Sequence, residues 1–487
     1  MTKPLLPETY LPREVDAFLK SWIDSNESFL LVQGPRQVGK SASVGHALES
    51  LTFGDDYGYI DFSDHERAEA LYASSSPSKT LVEDLLFSIG ATLRDNAILF
   101  MDEIQNALPQ NIEDTGVQRK WIKNLLSSAR DASVRLVLTG SFLGLSLSEL
   151  SDLFCEEGYP ILTVRPLSLH EFSIAKGFFT EPEWEEACNT CCSRKRLSLS
   201  QHHKMMDAFA CYLYVGGMPA SVSKFDSKTG DLSKSEAELK SLLDVSKSVL
   251  AQYTDIHGRE TFFENMMELF YQGIKASDKE TFNRRAFDLK KAEAHTLNFI
   301  KRSEVGLLIL PLNSNDEAKA KIYFSDVGVM HYLAFHGSHP EYEAKDAQTG
   351  LSILRQYYAG ASDDKTGNIG YVYEQVVASA FSHQGIVSNY LNDGEHEIEF
   401  LYQGSGIEIK SGDYDTRASL KWYVEQGHVG YVLGPHPYVG KYGALNYAPI
   451  YWAFFLGERQ DLFATDLPFA HGEEKEELRL LLRGEEY

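Results

Sequence analysis

Along the first third of the chain, short apolar runs alternate with segments of helical periodicity. Residues 29–32 are uniformly apolar, break off into Gly34 and Pro35, and give way beyond Lys40 to a segment bearing Ala and Leu. This pattern predicts a buried strand, a turn and a helix. A strand over 57–62 and a helix over 80–93 follow, then an apolar strand over 97–101, the amphipathic helix "QRKWIKNLLSSARD" and the buried strand "VRLVLTGS". Strands alternating with helices in this way predict a parallel sheet wound on both faces, with a ligand at the carboxyl ends of the strands.

Further on the pattern changes. From 259 to 333 it reads helix, short helix, longer helix, strand, polar loop "NSNDEAKA", strand, the order of a winged helix. Lys290, Lys291, His295, Thr296 and Asn298 fall on or near its second helix, the one that enters a major groove in DNA-binding winged helices. The same fold also serves as a packing module between larger domains, and both readings stand. Near the end, "HEIEFLY" and "GIEIKSG" each alternate as strands joined by "QGSG", which predicts a tight hairpin. Closed symmetrically, it pairs Tyr402 with Ile407 and Glu399 with Lys410, leaving Glu399 and Glu408 as diagonal neighbours.

Composition bounds these readings. With 487 residues, 43% hydrophobic and 24% charged, the chain is globular and long enough for about three domains. The net charge of −24 opposes nucleic acid and anionic membranes except through a local basic patch. Residues 278–302 hold such an excess, with seven basic against four acidic side chains. The first residues lack a signal-peptide pattern and no run approaches a membrane span. Five cysteines, an odd number, do not suggest a disulfide framework. A cytoplasmic location without membrane partners is expected. Cys188, Cys191, His202 and His203 raise the possibility of zinc. The i, i+3, i+4 spacing of Cys188, Cys191 and Cys192 favours one apolar helix face instead.

The first turn carries the most specific chemistry. Gly34, Pro35, Arg36, Gln37, Val38, Gly39, Lys40 and Ser41 read G-x-x-x-x-G-K-S, with Ala42 continuing into the helix. A strand, a glycine turn and a helix N-terminus aim backbone N–H groups and the positive helix end at one point, where a phosphate chain fits. Lys40 is placed for the β- and γ-phosphates of ATP and the Ser41 hydroxyl for Mg²⁺. Asp102 and Glu103 close the apolar strand. In phosphate-loop ATPases the first such carboxylate holds Mg²⁺ through water and the second polarises the attacking water. Ser141, after the strand "VRLVLTGS", is placed to sense the γ-phosphate, or simply to turn the chain.

Together "GPRQVGKS", "AILFMDEIQ", "RLVLTGS" and "VRPLSLHEF" resemble the prokaryotic AAA-type ATPases that carry a C-terminal domain of uncertain function. "YLYVGGMP", "KIYFSDVGVMHYL", "GYVYEQVVASAF" and "GIEIKSG" agree with that family. The resemblance covers about residues 28–435. It implies a lead-in over 1–27, a P-loop ATPase domain over 28–175, a helical connector over 176–257, a winged-helix-like segment over 258–340, an α/β restriction-endonuclease-like domain over 341–475 and an acidic tail over 476–487. Many relatives place an arginine finger after the Thr-Gly-Ser strand. Here only Arg165 is available, so neither ring assembly nor an oligomeric state follows.

A nuclease-like terminal domain gives Glu399, Glu408 and Lys410 a role. Two carboxylates would fix a second Mg²⁺ while a lysine orients the nucleophile on a DNA phosphate. The resemblance adds Glu374, in "GYVYEQVVASAF", as a further ligand or base, and it usually has aspartate where this chain has Glu399. The competing reading is a salt-bridged hairpin on a retained, non-cutting fold, making the protein a nucleotide-gated binding or signalling switch.

Overall fold

The computed structural model describes residues 3–4, 6–63, 81–88, 90, 92–107, 115–141, 148–255, 306–312, 320–336, 346–359, 361, 370–411 and 418–482. They form two compact units, one ending at Arg165 and one beginning at Pro166.

In the first unit, helix α1 (Val15–Asp24) leads into strand β1 (Phe29–Gln33), and helix α2 (Lys40–Ala47) follows the glycine turn. Then come β2 (Tyr57–Asp61), α3 (Leu81–Ser88), β3 (Ile98–Asp102), α4 (Thr115–Asp131), β4 (Arg135–Thr139), α5 (Ser148–Glu157) and β5 (Ile161–Thr163). The five strands are all parallel, in the order β2-β3-β4-β1-β5. Alternate side chains supply two cores. Leu30, Val32, Phe100 and Val137 pack with α1 and α2, while Leu31, Leu99, Leu136 and Leu138 pack with α3, α4 and α5. Covering both faces explains why β1, β3 and β4 read as continuous apolar runs rather than alternating ones.

Two boundaries move from expectation. The strand expected over 97–101 is shifted by one residue, which makes Asp102 its last ladder residue, opposite Asp61. The helix expected over 80–93 ends at Ser88, because Gly90 turns left-handed at φ +64° and its N–H closes the turn on the Phe87 carbonyl.

The second unit begins with α6 (Leu169–Ala175), α7 (Glu181–Cys192), α8 (Leu199–Val215), α9 (Pro219–Lys224) and α10 (Ser233–Asp255). Ser168 opens α6 with a capping box, its side chain accepting from Glu171 N. Helix α8 is central. Met205, Met206 and every residue from 208 to 215 are buried. The three cysteines of α7 follow the helix-face expectation in spacing. Cys191 is buried, and Cys188 Sγ lies 3.8 Å from Cys192 Sγ. His202 is buried against Tyr451, Nδ1 to hydroxyl 3.1 Å.

Strands β6 (Gly306–Ile309) and β7 (Lys321–Phe324) form an antiparallel pair followed by α11 (Val327–His336). The helices expected over 259–302, with Lys290, Lys291, His295, Thr296 and Asn298, lie outside the described residues. After α12 (Ala347–Tyr358) and α13 (Gly370–His383) comes a mixed sheet. It is built from β8 (Asn389–Asn392), β9 (Glu397–Tyr402), β10 (Ser405–Ile409), β11 (Val429–Gly434), β12 (Gly440–Tyr442) and β13 (Leu445–Pro449), in the order β12-β13-β11-β10-β9-β8. Helix α14 (Ala418–Glu425) packs on β9, β10 and β11, and α15 (Gly472–Leu481) packs beside β12. The β6–β7 pair joins this assembly. Leu312 N donates to Tyr390 O at 2.9 Å, and Gln375 of α13 brackets Phe324, accepting from its N–H at 2.7 Å.

The β9–β10 register corrects the expected one. Tyr402 pairs with Ser405, and Phe400 with Ile407, so Tyr402 does not pair with Ile407 nor Glu399 with Lys410. The turn is the two residues Gln403 (φ +49°) and Gly404 (φ +83°), not the four of "QGSG". Positive φ at both central residues is the twist-matched hairpin geometry that favours glycine. Continued by one step, this ladder sets Glu408 level with Glu399. No described helix is long and apolar enough to cross a membrane.

Candidate active site

The phosphate loop lies between β1 and α2. Gly34 adopts φ +148° and a Cβ there would stand 2.1 Å from the Val164 carbonyl oxygen, so only glycine fits. Gly39, at φ +98°, turns the chain into the first residue of α2, which is Lys40. Arg36 and Gln37 lie at the tip and Val38 packs inward. The Lys40 ammonium is buried and donates to Gly34 O at 3.0 Å, Pro35 O at 2.7 Å and Ser141 Oγ at 3.1 Å. It therefore stands inside the curl of its own loop. Arg13, ahead of α1, braces this loop by donating to Val38 O at 3.1 Å.

Strand order brings the remaining groups to the same edge. β4 neighbours β1 and β3 neighbours β4, so Ser141 and the pair Asp102 and Glu103 meet the loop at the carboxyl ends. Ser41 Oγ donates to Asp102 Oδ1 at 2.9 Å, Tyr59 OH donates to Oδ2 at 3.2 Å, and the Thr139 hydroxyl donates to Oδ1. Burial pushes the Asp102 carboxyl above the usual aspartate range; the Thr139 and Ser41 hydroxyls pull it down, and Glu103 and Asp61 push it up again. The same burial, with Asp102 beside it, raises the Tyr59 phenol and keeps it a donor. Glu103 takes a left-handed backbone at φ +51° and accepts from Ser141 Oγ at 3.2 Å and from Gln105 Nε2. A positive φ at a non-glycine residue is uncommon and concentrates at functional sites. Ala42 continues α2 without a polar role.

The second set of expected residues converges in the terminal sheet. Glu399, Glu408 and Lys410 are 3, 4 and 6% exposed, so the polar face of the hairpin is covered rather than open. Lys410 Nζ stands 3.1 Å from Glu408 Oε2, and Glu399 Oε2 accepts from Ile409 N. Lys321 of β7 enters the same region, 2.9 Å from Glu397 and 4.0 Å from Glu374 of α13. Burial would lower its pKa, but Glu374, Glu397 and Glu399 more than reverse this, and the ammonium stays charged. Tyr323 OH adds a contact to Glu374 at 3.3 Å. Among the described residues no group of three or more His, Cys, Asp or Glu side chains is arranged to hold a metal ion. The carboxylates instead meet lysines.

Sequence reasoning missed Tyr59, Gln105, Lys321 and Glu397. Gln105 follows Asp102 and Glu103 in the quoted "AILFMDEIQ", which was a usable signal, whereas Tyr59 shares its strand neighbouring β3 with a second tyrosine, Tyr57, and was not singled out. Lys321 and Glu397 belong to segments 76 residues apart in number and gave none.

Residues 26–173 match the family model of an AAA domain. With the parallel sheet and the loop geometry, this part of the chain is a P-loop ATPase domain of the AAA type, a nucleotide-binding module. Among solved structures, the Walker-type ATPase PABY2304 of Pyrococcus abyssi is 14% identical, covering 69% of this chain and 99% of its own, at TM-score 0.37. The ORC2 protein of Aeropyrum pernix, in its ADPNP–ADP complexes, is 10% identical over 63% of this chain and 90% of its own, at TM-score 0.33. Cdc6p from Pyrobaculum aerophilum is 12% identical over 72% and 97%, at TM-score 0.24. No curated protein matches the sequence.

Proposed function

We propose that the protein is a Mg·ATP-binding, ATP-hydrolysing switch whose nucleotide state sets the activity of its second unit. The observation that carries the first half is the Ser41–Asp102 contact of 2.9 Å beside the Lys40 loop. A hydroxyl and a carboxylate so placed are hard oxygen donors suited to Mg²⁺, which would be held by Ser41 directly and by Asp102 through water, neutralising phosphate charge. Gly34 to Ala42 wrap the phosphates, Lys40 leaves its loop carbonyls for the β- and γ-phosphates, Ser141 reports the γ-phosphate, and Glu103 takes a proton from the attacking water. Glu103→Gln should keep ATP affinity and lower turnover by about 10²–10⁴-fold, the span of a general base. Turnover at the wild-type rate would remove Glu103 from the chemistry.

For the second unit we favour binding over cutting. Lys321 among Glu374, Glu397 and Glu399, with Lys410 on Glu408, supports a scaffold in which two lysines partly offset the charge of four carboxylates. One observation favours the nuclease reading: Glu374, Glu399, Glu408 and Lys410 are gathered in one region, as a metal-dependent phosphodiesterase acting on DNA requires. Under that reading Glu399 and Glu408 hold a second Mg²⁺. A cleavage assay on DNA with Mg²⁺ or Mn²⁺, with and without ATP, separates the two. No cutting, with Lys410→Ala less stable by about 3 kcal/mol because the buried Glu408 loses its lysine partner, is the expected outcome. Metal-dependent cutting that Lys410→Ala abolishes while the fold persists would establish the nuclease.

A further inference from the structure

Gln105 lies in the single 3-10 turn Ile104–Ala107 that follows β3, two residues beyond Glu103. Its Nε2 donates to Glu103 Oε2. A carboxylate can only accept, so the amide nitrogen must face Glu103 and the amide oxygen must point elsewhere. That oxygen, Gln105 Oε1, is buried and meets no hydrogen-bond donor among the described residues. Buried carbonyl oxygens are nearly always satisfied, and an exception calls for an explanation, a catalytic role among them. From the opposite side Ser141 Oγ donates to Glu103 Oε1 at 3.2 Å while accepting from Lys40 at 3.1 Å. Glu103 is thereby clamped between a group that touches the phosphate loop and a group with one acceptor to spare.

We propose that Gln105 is a water-positioning residue for ATP hydrolysis. Nε2 fixes it on Glu103, and Oε1 accepts one hydrogen of the attacking water while Glu103 accepts the other. The inference rests on the reading of Glu103 as the base of an ATP-hydrolysing site. Two acceptors on one water leave its lone pair aimed away from both, which is the orientation an in-line attack needs. In the step, the water oxygen bonds to the γ-phosphorus. The bond from that phosphorus to the β–γ bridging oxygen breaks, its electron pair leaving with ADP. One water proton passes to the Glu103 carboxylate. The other, held by Gln105 Oε1, stays on the phosphate product.

The test uses the full chain, measuring steady-state ATP turnover, ATP affinity, and affinity for ADP with aluminium fluoride, which mimics the transferring phosphoryl group. Gln105→Ala should lower kcat by about 10–100-fold, a part of what a general base contributes. It should leave KM and ATP affinity within about twofold and weaken the aluminium-fluoride complex by the same factor as kcat. Gln105→Glu sets a second carboxylate against Glu103; it should be as slow at pH 8 and regain turnover on acidification, as the protonated side chain donates to Glu103 again. Gln105→Met, similar in shape and without hydrogen bonds, replaces the alanine variant if that one does not fold. Wild-type kcat in Gln105→Ala or Gln105→Met, or parallel losses of kcat and ATP affinity, would overturn the proposal and leave Gln105 a packing residue. Glu103→Gln tells the two readings apart. If it is inactive while Gln105→Ala is normal, only the water-positioning role fails; if the wild type does not hydrolyse ATP, the underlying reading fails with it.

Discussion

Lys40→Ala is expected to bind ATP about 10²–10³-fold more weakly than the wild type, the loss of about two charge-assisted hydrogen bonds to phosphate. The size of the effect follows from where the ammonium stands. In the structure Lys40 donates to two carbonyls of its own loop and to Ser141, so its charge already lies inside the curl that would receive the phosphates. Exchanging these neutral acceptors for phosphate oxygens is the gain that binding draws on, and alanine forfeits it. The fold itself should change little, because β1 and α2 are anchored by Leu30, Val32 and Val44 in a core that Lys40 does not enter. Calorimetric titration with ATP and Mg²⁺, paired with a denaturation curve, checks both parts. Unchanged affinity, or a loss of affinity that merely tracks unfolding, would remove the loop as the nucleotide site.

How much was legible follows from how local each feature is. The phosphate loop is eight consecutive residues whose glycine positions are dictated by backbone angle and by the Val164 carbonyl, so its chemistry could be read directly. Asp102 and Glu103 were legible because an apolar run fixes where a buried strand ends. The hairpin between β9 and β10 was read as a hairpin but in the wrong register. Counting "QGSG" as the loop ignored that Gln403 can itself take a left-handed angle beside Gly404, and two residues then suffice. That slip changes which residue faces Glu399, and with it the supposed metal geometry. Burial of the polar hairpin face was not legible either. Alternation shows that one face is polar and does not show that α14 and β7 bring other groups over that sheet. Lys321 is the extreme case, because a lysine in "KIYF" gives no sign that its partners are Glu374 and Glu397.

Lys321→Met is the change expected to affect the second unit most. The lysine is buried, and its ammonium offsets Glu374 and Glu397 directly and Glu399 through their mutual field. Methionine keeps the volume and removes the charge, leaving partly buried carboxylates facing one another without their cation. Removing one partner of a buried ion pair costs about 3–5 kcal/mol. Denaturation of the full chain, with ATP added to mark the first unit's transition, should show the second unit's transition moving to lower denaturant. The pH dependence has a definite sign. Because Lys321 has a pKa raised above that of the unfolded chain, its stabilisation is fully present below the ordinary lysine pKa of about 10.4 and is lost only as pH rises through the folded value. The wild type should therefore draw no pH dependence from Lys321 near neutrality. In Lys321→Met, acidification protonates a carboxylate and relieves the repulsion, so the deficit should shrink as pH falls. Mn²⁺ should stabilise the variant, supplying the missing positive charge, and should leave the wild type's second unit unchanged. If instead Mn²⁺ stabilises the wild type and Lys321→Met unfolds where the wild type does, the lysine is not the cation of this cluster, and the metal-dependent nuclease reading takes precedence.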